Sequence, residues 1–330
     1  MDDGERVFAG LEDTPLLLAV SGGPDSLALM HLAARWGGAP LHVATVDHGL
    51  RANSAAEAEG VAMVAKSLGL PHAILPWLGP KPRTRIQERA RGARYALLVA
   101  HAERIGAKHI LTAHHADDQA ETVLFRLGRG SGIAGLAGMR RETRLARGLT
   151  LVRPLLGHTK ADLIAICVAA GQAFVDDPSN HDPAYARGTL RAQAPAAQKL
   201  GLDTLALTRL ATRMARADEA LEAEAQRCLG LLTVTSDATG FAAPLAPLAE
   251  AKPEILIRVL RHAIASVAPA AKTPRLDRLE TLGAAIAAAL RAQKAYRGTL
   301  SGTRVTLERD TMLTIVPEAA RRRGRPAVEA

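Results

Sequence analysis

Aromatic side chains are scarce in this chain: Phe, Trp and Tyr together make up 3% of its 330 residues. Any contact with nucleic acid must therefore rely on Arg and Lys more than on stacking of bases on aromatic rings. Cysteine is nearly absent too. Cys167 and Cys228 lie far apart and form no C-x-x-C pair, which excludes a disulfide scaffold and disfavours a zinc or iron–sulfur site. Cys167 sits in the apolar run 163–168 and reads as a small core residue rather than a nucleophile. No run of ~18 apolar residues occurs, so no membrane span is expected. Residues 1–10 carry three acids and no apolar block, unlike a signal peptide, and a cytoplasmic setting is expected.

Basic charge and apolar side chains are abundant. Lys and Arg number 42 against 33 acids, a net charge of +9 with a pI near 10.0. Such an excess favours a polyanionic partner, because neutralised phosphates release counterions. Apolar residues make up 48% of the chain, enough for a full core, and the length suggests two domains.

The first half alternates short apolar runs with helical patterns. Strands are expected at 16–20, 41–46, 72–75, 109–112 and 149–152, and helices at 25–35, 55–68, 84–105, 118–127 and 159–170. That alternation predicts an α/β domain whose parallel sheet is covered on both faces. Ligands of such sheets bind at the carboxyl ends of the strands. The polar stretch 174–191 reads as a loop. Beyond about residue 200 the pattern becomes helical, at 203–229, 252–266 and 275–292, with a small hairpin within 297–316 and a basic tail at 321–325. The expected division is an α/β domain over 1–200 and a mostly helical domain over 201–330. Arg209, Arg213 and Arg216 are spaced for one helical face that suits an RNA backbone or simply solvent.

Ser21-Gly22-Gly23-Pro24-Asp25-Ser26 joins the first strand to the first helix. Two glycines permit a tight turn with inward amides, and the helix start adds a positive dipole end, so the segment forms an anion cradle. Ser21 and Ser26 are candidate phosphate donors. Asp25 suits a divalent cation held against phosphates, or a plain helix cap. The loop lacks the Walker lysine and the G-x-G-x-x-G spacing, which excludes an ordinary P-loop NTPase and a dinucleotide enzyme. His48, at the end of the second strand, is a candidate ligand contact beside the loop, an adenine contact if the ligand is a nucleotide, or part of a turn. After the fourth strand comes His114-His115-Ala116-Asp117-Asp118-Gln119-Ala120-Glu121-Thr122. On a helix, positions 114, 118 and 121 or 122 share a face with Asp117 beside them, a set fit for a cation or for general-base work on an amine, or an acidic first turn that suits the helix dipole.

The loop resembles the S-G-G-x-D-S loop of pyrophosphatase-loop ATPases, which adenylate a substrate and release pyrophosphate. Together with the His-Asp-Asp-Glu helix it is similar to the tRNA(Ile)-lysidine synthetases. Supporting segments are Glu88 to Tyr95, the glycine-rich Gly128 to Gly132, Arg153-Pro154-Leu155-Leu156, Asp176 to Asn180 and Tyr185 to Arg187. Gly188 departs from that family's usual Asn, and Leu190 from its Ile.

The resemblance implies a doubly wound, mainly parallel sheet of the adenine nucleotide hydrolase type, followed by a mostly helical C-terminal domain. It implies ATP and Mg2+ as cofactors. Free L-lysine and an isoleucine tRNA with a CAU anticodon would be substrates. ATP would adenylate the C2 carbonyl oxygen of the wobble cytidine, and the lysine ε-amine would attack C2 and expel AMP to give lysidine, which changes decoding from AUG to AUA. On this footing Asp25 holds Mg2+ and Asp118 handles the amine. His114, Asp117, Glu121, Gly130, Ser131, Gly132 and Asn180 border the lysine and cytidine. Arg94 and Arg187 neutralise phosphate charge. The oligomeric state stays open, a homodimer among the options. Rival readings are a tRNA sulfurtransferase, for which the cysteines are badly placed, a small-molecule adenylating ligase of the same fold, and an RNA-binding protein without catalysis.

Overall fold

In the computed structural model, the described residues are 3–12, 14–50, 53–79, 81–82, 84–145, 148–174, 193, 195–237, 240–269 and 273–318. Asn180, Arg187, Gly188, Leu190 and the basic tail lie outside them. The chain divides into two compact units. One comprises Met1–Gly130 and Ala134–Arg213, and the other Ser131–Ile133 and Met214–Ala330.

The first unit opens with α1 (Asp3–Val7), β1 (Leu16–Ala19), α2 (Pro24–Trp36), β2 (Leu41–Asp47), α3 (Ser54–Ser67), β3 (His72–Pro76), α4 (Ile86–Arg104) and β4 (His109–Leu111). It continues with α5 (Ala116–Leu127), α6 (Ile133–Leu136), β5 (Glu142–Arg144), β6 (Thr150–Val152) and α7 (Lys160–Ala169). The six strands order as β3-β2-β1-β4-β6-β5, all neighbours parallel except the antiparallel β5–β6 edge. β1 explains the doubly covered sheet. Its four residues are fully buried in alternation: Leu16 and Leu18 join the cluster with α2, α3 and α7, whereas Leu17 and Ala19 join that with α4. The chain reverses its winding between β1 and β4. That switch point opens a crevice above the strands' carboxyl ends.

Cys167 of α7 is buried, and its Sγ donates to the Pro24 carbonyl at 3.3 Å, tying α7 to the start of α2. The thiol is a packing element, as its apolar surroundings suggested. Among the described residues no helix is long and apolar enough to cross a membrane.

A long helix, α8 (Thr204–Gly230), contains the boundary between the units, which falls after Arg213 rather than at 200. The reason is a small core in which Leu207 and Ala211 of α8 pack against Ala120 and Val123 of α5. Arg209, Arg213 and Arg216 are all exposed on α8. The second unit then adds β7 (Thr235–Asp237), β8 (Gly240–Pro244), α9 (Pro253–Val267), α10 (Leu276–Ala292), β9 (Tyr296–Leu300), β10 (Thr303–Leu307) and β11 (Met312–Pro317). Its helical character is as expected, but the hairpin is part of more. β9, β10 and β11 continue through β8 to β7 in a five-stranded antiparallel sheet. Val259, Ile286, Val305 and Ile315 share the resulting core. Arg258 of α9 is 3% exposed and meets Asp218 at 2.8 Å, Glu254 at 2.9 Å and Glu222 at 3.2 Å. Three carboxylates satisfy the fork of one guanidinium, which is the condition under which a charge can be buried.

Candidate functional site

The loop after β1 is shaped by its own side chains. Gly22 has φ +88, a left-handed conformation that a side chain strains, although a Cβ there would only touch Val61 Cγ2 at 3.4 Å. Ser26 Oγ donates to the Gly23 carbonyl at 3.0 Å and accepts from the Ser21 amide at 3.1 Å. Ser26, expected as a phosphate donor, thus spends its proton closing the loop; Ser21 is the better placed hydroxyl. The start of α2 has Gly23 as N-cap with no side-chain cap and Pro24 in the first turn. The first-turn amides of α2 therefore lack the side-chain acceptor that a Ser or Asp cap supplies.

A cavity of about 240 Å3 lies in front of this loop, lined by Ser21, Asp25, Arg94, His115, Asp118 and Lys160 among others. Asp25 Oδ1 is buried and accepts no hydrogen bond among the described residues. Beside it a larger cavity of about 450 Å3 runs between β2, α3 and α4, lined by Val46, His48, Leu50, Ser54, Ile86 and Arg94 among others. His48 Nδ1 is buried there with no hydrogen-bond partner among the described residues, and the ring meets Trp77 edge-on with centroids 6.1 Å apart. Burial, with help from the Arg94 charge, holds His48 below the usual imidazole range, so the ring is neutral. Arg94 lines both cavities. Its guanidinium is strongly desolvated, which pulls its pKa down. No ion pair or hydrogen bond satisfies it among the described residues.

The His-Asp-Asp segment differs from the expected single helical face. α5 begins at Ala116, so His114 precedes it and pairs its Nδ1 with Thr112 Oγ1 at 2.9 Å. His115, absent from the expected set, is the N-cap. It is 3% exposed and lies within 3.6 Å of carboxylate oxygens of Asp25, Asp117 and Asp118. Burial opposes its charge, but hydrogen bonds with Asp117 and Asp25 and the nearby Asp118 prevail and push it up to about 10. Nδ1 lies 3.2 Å from the Asp117 amide and 3.4 Å from its Oδ2. Only a neutral ring accepts from that amide; among three carboxylates the imidazolium, donating to Oδ2, is the resting form. Asp118 closes the capping box by accepting from the His115 amide at 3.2 Å, and it faces the 240 Å3 cavity.

Asp117 does a different job from the one expected. It does not line that cavity. Its Oδ2 accepts from the Lys160 amide at 2.7 Å and its Oδ1 from the Thr204 hydroxyl at 2.9 Å, clipping α5 to the starts of α7 and α8. The hydrogen bond with His115 and these two donors hold its carboxyl far below the usual range. Replacing Asp117 by Ala is expected to lower stability in urea unfolding by about 2–3 kcal/mol, and Thr204→Val by about 1 kcal/mol. Equal stability of wild type and Asp117→Ala would dismiss the clip.

Glu121 lies one turn along α5, outside the residues lining the smaller cavity. The glycine-rich turn is anchored from α5. Gln119 pairs with both the amide and carbonyl of Met139, at 2.7 and 3.0 Å, and Arg126 donates to the carbonyls of Gly135 and Gly138. A Cβ on Gly138 would lie 2.6 Å from Gln119 Oε1. Gly130 ends the first part of this turn with φ +68, whereas Ser131 and Gly132 group with the second unit. Arg153 is a strap: its Nη1 donates to the Arg140 carbonyl and Thr143 Oγ1, fixing the β5 edge.

The donor set fits a magnesium ion on limited terms. Among the described residues no group of three His, Cys, Asp or Glu could hold a metal. One carboxylate with an unpartnered oxygen beside a phosphate cradle is, however, the arrangement Mg2+ uses when phosphates and waters supply the remaining ligands.

Comparison with known proteins agrees with this arrangement. A family profile for the PP-loop domain matches residues 4–196. The tRNA(Ile)-lysidine synthase of Rhodopseudomonas palustris is 48% identical over 98% of this chain and 96% of its own. That of Methylobacterium nodulans is 49% identical over 94% and 92%. Among solved structures, the U34-tRNA thiolase NcsA of Methanococcus maripaludis superposes with a TM-score of 0.54, covering 64% of this chain and 77% of its own. At 15% identity that likeness concerns the fold alone.

Proposed function

The chain belongs to the tRNA(Ile)-lysidine synthase family of PP-loop proteins, and from that membership we propose how its site carries out the reaction. The enzyme is an ATP-using ligase that forms lysidine on an isoleucine tRNA. The nucleoside of ATP occupies the larger cavity, against the neutral His48 ring. The triphosphate crosses to the smaller one over the Gly22–Gly23 turn. Asp25 holds Mg2+, which when bound supplies charge neutralisation on the phosphates.

The C2 carbonyl oxygen of the wobble cytidine attacks the α-phosphorus, and the bond to pyrophosphate breaks. Arg94, placed between nucleoside and phosphates, balances the charge that builds at the α-phosphate. The ε-amine of lysine then attacks C2, the C2–O bond breaks with release of AMP, and Asp118 takes the amine proton. The imidazolium of His115 keeps the clustered carboxylates from repelling one another and holds Asp118 in place. An anticodon loop presents its base unpaired, so little unstacking opposes this chemistry. His114 lines the smaller cavity beside Asp118 and is assigned to the lysine side; Glu121, Gly130, Ser131, Gly132, Asn180 and Arg187 are assigned to the tRNA and lysine side on the family resemblance alone.

The Arg94 guanidinium, shared by both cavities and without a partner among the described residues, carries this reading. The test is AMP release from ATP with a CAU-anticodon isoleucine tRNA transcript, with and without labelled lysine. Lysine-dependent AMP release with label entering the RNA is expected. Release that ignores lysine and leaves the RNA unlabelled would send the search for the nucleophile elsewhere.

A further inference from the structure

Three helices aim their amino ends at the smaller cavity: α2 through Asp25 and Ser26, α5 through His115 and Asp118, and α7 through Lys160. Two of those ends already have a side-chain acceptor. In α5, Asp118 accepts from the His115 amide at 3.2 Å, and α7 carries a full capping box, in which the Thr159 hydroxyl accepts from the Asp162 amide and Asp162 accepts from the Thr159 amide. The Lys160 amide, first in α7, is taken by Asp117. The Lys160 ammonium is a different matter. It has no ion pair or hydrogen bond among the described residues, although Asp25 and Asp118 line the same cavity.

Arg94 and Lys160 divide the cationic work by position. Arg94 also lines the nucleoside cavity, so it belongs to the α-phosphate side. Lys160 does not line that cavity and so belongs to the far end of the triphosphate. We infer that Lys160 is a further catalytic residue of this reaction, binding the β- and γ-phosphates of ATP and holding the pyrophosphate as it leaves. The inference rests on the adenylating role assigned above. When the oxygen bridging the α- and β-phosphorus atoms breaks from the α-phosphorus, its electron pair stays with pyrophosphate, and the added negative charge falls on the group that Lys160 faces. An ammonium on a flexible stem suits a product that must then depart, because it binds as a point charge rather than a bidentate fork.

The experiment is single-turnover pyrophosphate release by the full chain with tRNA transcript, for wild type, Lys160→Met and Lys160→Arg. Lys160→Met is expected to slow release about 100-fold, and to raise the inhibition constant for added pyrophosphate at least tenfold by the same loss of a charge contact. Melting temperature and apparent affinity for tRNA should hold, and Lys160→Arg should recover most of the rate. Wild-type kinetics with unchanged pyrophosphate inhibition in Lys160→Met would overturn the inference. So would a joint fall in melting temperature and tRNA affinity, which would mark Lys160 as structural. If wild type itself releases no pyrophosphate with tRNA, the adenylating role fails first. Calorimetric titration with inorganic pyrophosphate then decides for Lys160, and equal affinity of wild type and Lys160→Met dismisses it.

Discussion

Asp25→Asn is expected to slow tRNA-dependent pyrophosphate release by about 1,000-fold while the chain still folds. The change keeps the shape of the side chain at the start of α2 but removes the carboxylate whose Oδ1 has no partner among the described residues. A bound divalent cation contributes several kcal/mol of charge stabilisation in phosphoryl chemistry, and about 4 kcal/mol corresponds to three powers of ten in rate. Folding should be spared because His115 keeps Asp117 and Asp118 as neighbours at 3.4 and 3.5 Å. The measurement is release rate against Mg2+ concentration, alongside thermal melting. A variant that keeps a tenth of the wild-type rate at the same Mg2+ would remove Asp25 from the metal's coordination.

Arg94→Met should separate activity from stability in opposite directions. A half-buried guanidinium that burial desolvates and that has no partner among the described residues is costly to the folded state, and Met keeps much of its length and apolar stem. The variant should therefore melt at or above the wild-type temperature. Its pyrophosphate release should nevertheless fall by about 100- to 1,000-fold, the usual loss when one fixed donor to a developing charge is removed. A site that retains an uncompensated charge has exchanged stability for chemistry. If Arg94→Met melts lower and keeps its rate, the guanidinium is an ordinary packing element of α4, and the nucleotide must lie elsewhere.

Much of the first unit could be read directly because its parallel strands are continuous apolar runs and its helices follow glycine- or capping-rich turns. The Gly22–Ser26 loop, Asp118 and Arg94 all reach the crevice that the alternation predicted. What escaped had physical causes. His115 is an unusual N-cap, so the helix start shifted and His114 took a place on a face it does not have. Lys160 and the clip by Asp117 depend on partners 43 and 87 residues away, which no local pattern reveals. β5 is three exposed polar residues, and β8 (Gly240–Pro244) is rich in Ala and Gly, poor in the branched side chains that mark strands. The larger sheet of the second unit was hidden for that reason.

The contact between Asp117 and Thr204 also sets an order of events during synthesis. Chain closure over 87 residues is a long-range contact that cannot form until α8 has been made. Strands β1 to β4 and the phosphate turn can assemble earlier, as units fold from the amino end while the ribosome is still adding residues. The nascent chain can therefore hold a formed nucleotide cradle while α5, which carries Asp118, still lacks one of the two fastenings that Asp117 makes. A polypeptide truncated by premature termination before residue 204 would keep a recognisable ATP fold and the Lys160 half of the clip but lack the Thr204 half, a distinction that ribosome-stalled fragments can display by protease protection of α5.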